Sequence, residues 1–140
     1  MKRTHRKGAK DQALATAAAL EGDQPVALFA ESTTGPGTHL LPFRSALLEA
    51  ANYASRDVVI RPVALDYGSA ATTVSWCDEP AMENVWRLLG RRGTIPITIH
   101  VLEPLDRSLD RKQLAHAARE AIGRTLDLTF SGQLPIDEAE

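Results

Sequence analysis

The sequence predicts an α/β domain with a mixed, largely parallel sheet flanked by helices. Three observations carry that expectation. Apolar segments of helical period alternate along the chain with short apolar runs of strand length. Residues 94–105 place Ile95, Ile97, Ile99 and Val101 at every second position, the pattern of a half-buried strand. A polar, glycine-bearing loop leaves one short apolar run and enters a helix, and open α/β sheets hold ligands where strands end in this way.

The elements follow in order. Residues 11–20 are alanine-rich, with Leu14, Ala17, Ala18 and Glu21 on helical spacing and Gly22 placed to stop the helix. Residues 25–30, PVALFA, have the length of a buried strand. Residues 43–54 repeat Ala46, Leu47, Ala50, Ala51 and Ala54 at helical intervals, with Ser45 or Thr38 as N-cap. Residues 57–67 read as a second strand interrupted at Pro62, which cannot donate to a ladder. TTVSW, residues 72–76, reads as a third strand, and residues 80–90 as a helix with Pro80 at its first turn and Gly90 as its stop. After the alternating strand comes a helix over residues 110–126, capped by Ser108 or Asp110. The tail beyond Gly132 is expected to fray, so residues 1–130 form the domain and 131–140 the tail.

A chain of 140 residues supports one core. Its 16 Lys and Arg against 18 Asp and Glu give a net charge of −2, so no overall basic field recruits nucleic acid. The first ten residues are locally basic, the pattern of a solvated terminus or of a tail near anionic lipid or phosphate. No segment has the apolar length of a membrane span. Cys77 stands alone, which excludes an intramolecular disulfide framework and a cysteine zinc cluster and points to a reducing cytoplasm. The four histidines never fall at i, i+4, so no metal site is expected from local spacing. Trp76 and Trp86 are expected in the core.

The loop after residues 25–30 gathers Glu31, Ser32, Thr33, Thr34 and Thr38 around Gly35-Pro36-Gly37. Backbone N–H groups and hydroxyls at a glycine-rich entry to a helix make a phosphate cradle. The same hydroxyls also serve a plain capped turn, and local pattern alone does not separate the two. No lysine follows the glycines and no G-x-G-x-x-G is present, so this is neither a P-loop nor a dinucleotide fingerprint.

The quoted segments, taken together, resemble the C-terminal part of the phospholipid/glycerol acyltransferase family, in particular bacterial 1-acylglycerol-3-phosphate acyltransferases. The stretch from Phe29 through Glu31, Thr33 and Gly37 to Leu41-Pro42-Phe43 is similar to the family's F-P-E-G-T motif, and VVIRPVAL, containing Pro62, to its valine-rich Pro-Val motif. VSWCDEP and VLEPLDRSLDRKQLAHAARE resemble later family segments, so the likeness spans nearly the whole chain. Ala30 and Ser32 stand where the family has Pro and Gly beside the glutamate, and Val59 where it has the first Pro of the later motif.

The resemblance implies a lysophosphatidate site with Arg3 on the phosphate, Glu31, Ser32, Thr33 and Thr34 around the glycerol-phosphate end, and Pro62 nearby. The implied donor is acyl-CoA or acyl carrier protein, with no metal or other cofactor, in the cytoplasm or at the cytoplasmic face of the inner membrane. The family's His-x-x-x-x-Asp is absent: Lys10, Arg44, Leu105 and Ala121 stand five residues after the four histidines. In the family that histidine is the general base, so no residue here is assigned a catalytic role and the chain by itself is expected not to turn over. It reads as the back half of such an enzyme, or as a non-catalytic phosphate-ester-binding remnant or module.

Overall fold

The computed structural model describes residues 3–55, 57–76 and 79–130. In chain order they form α1 (Arg3–Leu20), β1 (His39–Leu40), α2 (Ser45–Leu48), α3 (Ala50–Tyr53), β2 (Val63–Asp66), a 3₁₀ turn (Gly68–Ala70), α4 (Ala71–Val74), α5 (Ala81–Leu89), β3 (Thr98–Val101), α6 (Arg111–Leu126) and β4 (Thr129–Phe130). Cys77 and the tail after Gly132 lie outside the described residues.

The helical layer is built on small residues. In α1, Ala13 and Ala17 are buried one turn apart, and Ala50 and Ala51 are buried in α3, the helix it packs against. Methyl-sized side chains let the two backbones approach closely. The inward stripe is therefore rotated from the expected one, and Leu14 is 45% exposed. Residues 43–54 form two short helices rather than one. Glu49 at the junction keeps helical torsions, but the bonds beside it tighten to i→i−3, Leu47 N–H to the Arg44 carbonyl (3.2 Å) and Asn52 N–H to the Glu49 carbonyl (3.0 Å). Neither Ser45 nor Thr38 caps α2; Arg44 precedes it with no side-chain cap bond.

The last helix begins as expected. Asp110 accepts from the backbone N–H groups of Lys112 (2.7 Å) and Gln113 (2.9 Å), while the Gln113 side chain accepts from the Asp110 N–H, a complete capping box. At its other end Asp127 adopts a left-handed conformation (φ 51°), and Leu128 N–H bonds back to the Gly123 carbonyl at 3.0 Å. That turn delivers β4 beside β1.

Strands pair in twos among the described residues. β1 and β4 are parallel, with His39 opposite Thr129 and Leu40 opposite Phe130. β2 and β3 are antiparallel, with Val63 opposite Val101 and Leu65 opposite Ile99. The expected interruption at Pro62 is present: β2 starts directly after it, and ahead of β2 the Ile60 and Pro62 carbonyls accept from Leu105 N–H (2.9 Å) and Leu102 N–H (3.0 Å) without a regular ladder. Residues 25–30 carry no strand pairing among the described residues, because an apolar run becomes a strand only when a neighbouring edge meets it.

TTVSW is a correction. Its first residues lie in helix α4, which follows a turn fixed by the Asp66 carboxylate accepting from Gly68 N–H at 2.7 Å. The Ser75 hydroxyl closes the helix end on the Thr72 carbonyl at 2.8 Å, so local bonds override the β-branched propensity of the stretch. Trp86 is also not in the core: it is 66% exposed, whereas Trp76 is half-buried and donates to the Glu79 carbonyl at 2.7 Å.

The core centres on Leu48, Leu114 and Ala115, with Phe43, Ile60, Leu105 and Leu109 packed around them. Among the described residues, eight of the eleven buried apolar side chains are alanines, while Phe29, Val59, Ile99 and Val101 are each more than half exposed. The chain thus buries its small residues and leaves large ones on an open face, the reverse of a closed domain.

Candidate functional site

The loop of residues 30–44 is closed at its base, where Arg44 N–H donates to the Ala30 carbonyl at 2.8 Å. Its entry is a tight turn in which Ser32 N–H donates to the Phe29 carbonyl at 3.0 Å and Ser32 itself sits at φ 57°, a left-handed conformation suited to glycine. The loop keeps the backbone shape that glycine would allow although the residue is serine.

Glu31 turns inward. Its Oε2 atom lies 3.4 Å from where a Cβ on Gly35 would stand, and its carboxylate accepts from the Leu41 backbone N–H. From α6, Arg119 reaches the other side of the same peptide group and donates from Nη2 to the Leu40 carbonyl at 2.6 Å. A carboxylate and a guanidinium therefore grip the two sides of one peptide group, the Leu40–Leu41 amide at the end of β1. Partial burial pushes the Glu31 carboxyl above its ordinary range, while the Leu41 bond and the nearby charges of Arg119 and His39 act in the opposite direction. Burial likewise pulls the Arg119 guanidinium down, against the support of Glu31.

Beside the loop opens a cleft of about 710 Å³, within the roughly 300–1,000 Å³ usual for small-molecule sites. Its walls are residues 25–31 and 58–63 with contributions from α1, α2, α3 and α6, including Leu20, Leu47, Leu48, Ala118 and Ile122. The charged side chains of the lining are Glu31 and Arg61. Arg61 donates from Nη1 to the Leu102 carbonyl at 3.2 Å. This is an apolar trough with one carboxylate and one guanidinium, suited to a ligand with a long apolar part and a short polar head.

Of the residues singled out from sequence, Glu31, Thr33 and Pro62 line this cleft together. Ser32 and Thr34 are exposed on the same loop but are not among its walls. Arg3 lies in α1, and its side chain lies outside the described part of the structure. Arg119 was not foreseen as a partner of the loop, whereas Arg61 is one of two arginines, with Arg44, that the resemblance allows to add positive field there or to serve a structural role. Arg119 carried a signal: helical phase puts it beside Leu114, Ala115 and Ala118 on the buried face of α6, an unusual place for a guanidinium. Among the described residues, no histidine, serine or cysteine stands in the cleft wall as a base or nucleophile. Among the described residues no group of three or more His, Cys, Asp or Glu is placed to hold a metal ion, and no helix is long and apolar enough to cross a membrane.

No known family profile matches the chain, and no solved structure matches it. One curated protein does: the lyso-ornithine lipid O-acyltransferase of Brucella abortus (strain 2308), 32% identical over 130 residues that cover 81% of this chain and 48% of that enzyme. The chain thus spans about half the length of the curated relative it matches, and what it is similar to, over most of its own length, is part of a lipid O-acyltransferase.

Proposed function

We propose that this chain forms the lipid-holding half of an O-acyltransferase of lipid biosynthesis. The observation that carries the proposal is the 32% identity to an O-acyltransferase acting on a lyso-lipid, and the apolar cleft beside the Glu31 loop is the feature that suits an acyl chain. In such a reaction the acceptor hydroxyl attacks the carbonyl carbon of an acyl thioester, an ester C–O bond forms, the C–S bond breaks, and a base takes the hydroxyl proton. This sequence has no His-x-x-x-x-Asp, so the base comes from outside the 140 residues. The chain's own part is to bind and orient.

In this proposal the two strand pairs and residues 25–30 belong to one larger, mostly parallel sheet. The acceptor is 1-acylglycerol-3-phosphate, the donor acyl-CoA or acyl carrier protein, and the place of action the cytoplasmic face of the inner membrane. A second acceptor, lyso-ornithine lipid, is favoured by the named relative and by a cleft that offers one carboxylate and one guanidinium rather than a cluster of cations. Such a pair suits a headgroup bearing both signs of charge better than a phosphate.

The test is equilibrium binding of radiolabelled lysophosphatidate and lyso-ornithine lipid to the purified chain, with Phe29→Asp in the cleft wall as control. Saturable binding of either lipid, weakened at least tenfold by Phe29→Asp, supports the proposal, and the ratio of the two affinities chooses the acceptor. Absence of saturable binding, or equal binding by the variant, overturns it. Acyl transfer by the chain alone would refute the assignment of the base.

A further inference from the structure

We propose that α5 is an interfacial helix that docks this chain on an anionic lipid surface. The helix is mounted with its polar side inward. Asn84, 6% exposed, donates from Nδ2 to Glu79 Oε1 at 2.9 Å and to the Ser75 carbonyl at 3.5 Å. Arg87 forms an ion pair with Glu79 and donates from Nη2 to the Ser75 carbonyl at 2.9 Å and from Nη1 to the Thr73 carbonyl. These bonds hold the helix by the face a globular protein would normally turn to water.

The opposite face is apolar and open. Met82, Val85, Trp86 and Leu89 fall at i, i+3, i+4 and i+7, and they are 59%, 40%, 66% and 73% exposed. At these exposures the four side chains offer on the order of 400–500 Å², the size of the largest apolar patch on a typical monomer, which is often functional. That is roughly half of the ~800 Å² each partner gives to a standard protein interface. A second copy would bury too little on this stripe alone, whereas a bilayer needs only a shallow apolar face with an aromatic side chain at headgroup depth.

Charge supports the same partner. Arg91 and Arg92 follow the helix directly after Gly90, and Arg92 is exposed. Among the described residues, the acidic ones on or next to the helix are Glu79, already paired with Arg87, and Glu83 in the first turn. The apolar stripe therefore ends beside an exposed cation, Arg92, the order that anionic headgroups favour, while Arg91 is partly buried. The inference stands on α5 alone and does not rest on the acyltransferase proposal.

The test is sedimentation of the full chain with phosphatidylcholine vesicles made with and without phosphatidylglycerol, together with Trp fluorescence. Expected are binding to the phosphatidylglycerol vesicles, a blue shift absent from Trp86→Phe, and at least a tenfold loss of binding in Met82→Ser/Leu89→Ser. Arg92→Glu should weaken binding several-fold, more at low salt than at high. No vesicle binding, binding untouched by the double serine variant, or a Trp86 shift that follows protein concentration without vesicles would overturn the proposal. All these side chains except Val85 are more than half exposed or lie beyond the helix, and unchanged far-UV circular dichroism confirms that the variants fold. Failure here leaves the Phe29→Asp lipid-binding test unaffected, so the two proposals fail separately.

Discussion

Gly37 and Gly68 both have positive φ, at 75° and 52°, but only one is crowded. A Cβ on Gly37 would lie 2.9 Å from the Ala71 carbonyl oxygen, 3.2 Å from its carbon and 3.3 Å from Ser75 Cβ, whereas a Cβ on Gly68 would meet nothing within 4 Å. Alanine at either position adopts a left-handed conformation at a cost of roughly 1–2 kcal/mol. A narrower unfolded ensemble offsets about 0.4–1 kcal/mol of that cost. Gly68→Ala is therefore expected to cost about 1 kcal/mol. At Gly37 the obstacle is backbone and cannot swing aside, which adds roughly 1–3 kcal/mol of overpacking and brings Gly37→Ala to about 3 kcal/mol. Thermal unfolding followed by far-UV circular dichroism should place the Gly37 variant roughly 10 °C below wild type and the Gly68 variant roughly 4 °C below. Equal losses at the two positions would refute the seating of the Glu31 loop against α4.

Three further outcomes are expected. Ser32→Gly removes a non-glycine residue from φ 57° and should raise stability by about 0.5 kcal/mol, the left-handed strain relieved less the added freedom of glycine in the unfolded chain, as read from urea midpoints. Arg119→Met, which removes the donor to the Leu40 carbonyl and a buried countercharge of Glu31, should cost about 1–3 kcal/mol in the same assay. Because burial raises the Glu31 carboxyl above the ordinary carboxyl value of 4.5, the folded state holds its proton to higher pH than the unfolded chain. Wild-type stability should therefore fall as pH rises from that value through the raised folded one. A series of denaturation midpoints across this window should show a flatter profile for Glu31→Gln, and an identical profile would show that Glu31 is not the group responsible.

Element boundaries were legible where the sequence carried its own stop signals. Asp110 with Gln113, Pro80 with Gly90, and Pro62 before Val63 each act through bonds made or forbidden within a few residues, and the structure uses all three. The reading of residues 72–76 as strand failed because β-branched side chains favour a strand only when an edge is available to pair with. Among the described residues no such edge meets them, and side-chain bonds from Asp66 and Ser75 fold the stretch into a turn and helix instead. The inward phase of α1 was missed by one residue because an alanine-rich helix has no bulky stripe to declare its face.

The candidate site divides in the same way. The sequence by itself determined that a polar loop with Glu31 at its start lies between an apolar run and a helix, and that the chain carries no histidine-aspartate base of the expected spacing. Only the tertiary structure decided what surrounds that loop: Arg119 arriving from α6, 79 positions after the Leu40 it bonds, the cleft shared by residues 25–31 and 58–63, and the seat of Gly37 on the Ala71 carbonyl. It also decided that α5 is held by its polar face, leaving Trp86 outside. Caps, turns and helical periods are written in near neighbours, whereas burial, charge pairing and cavities arise from residues that meet only when distant segments pack together.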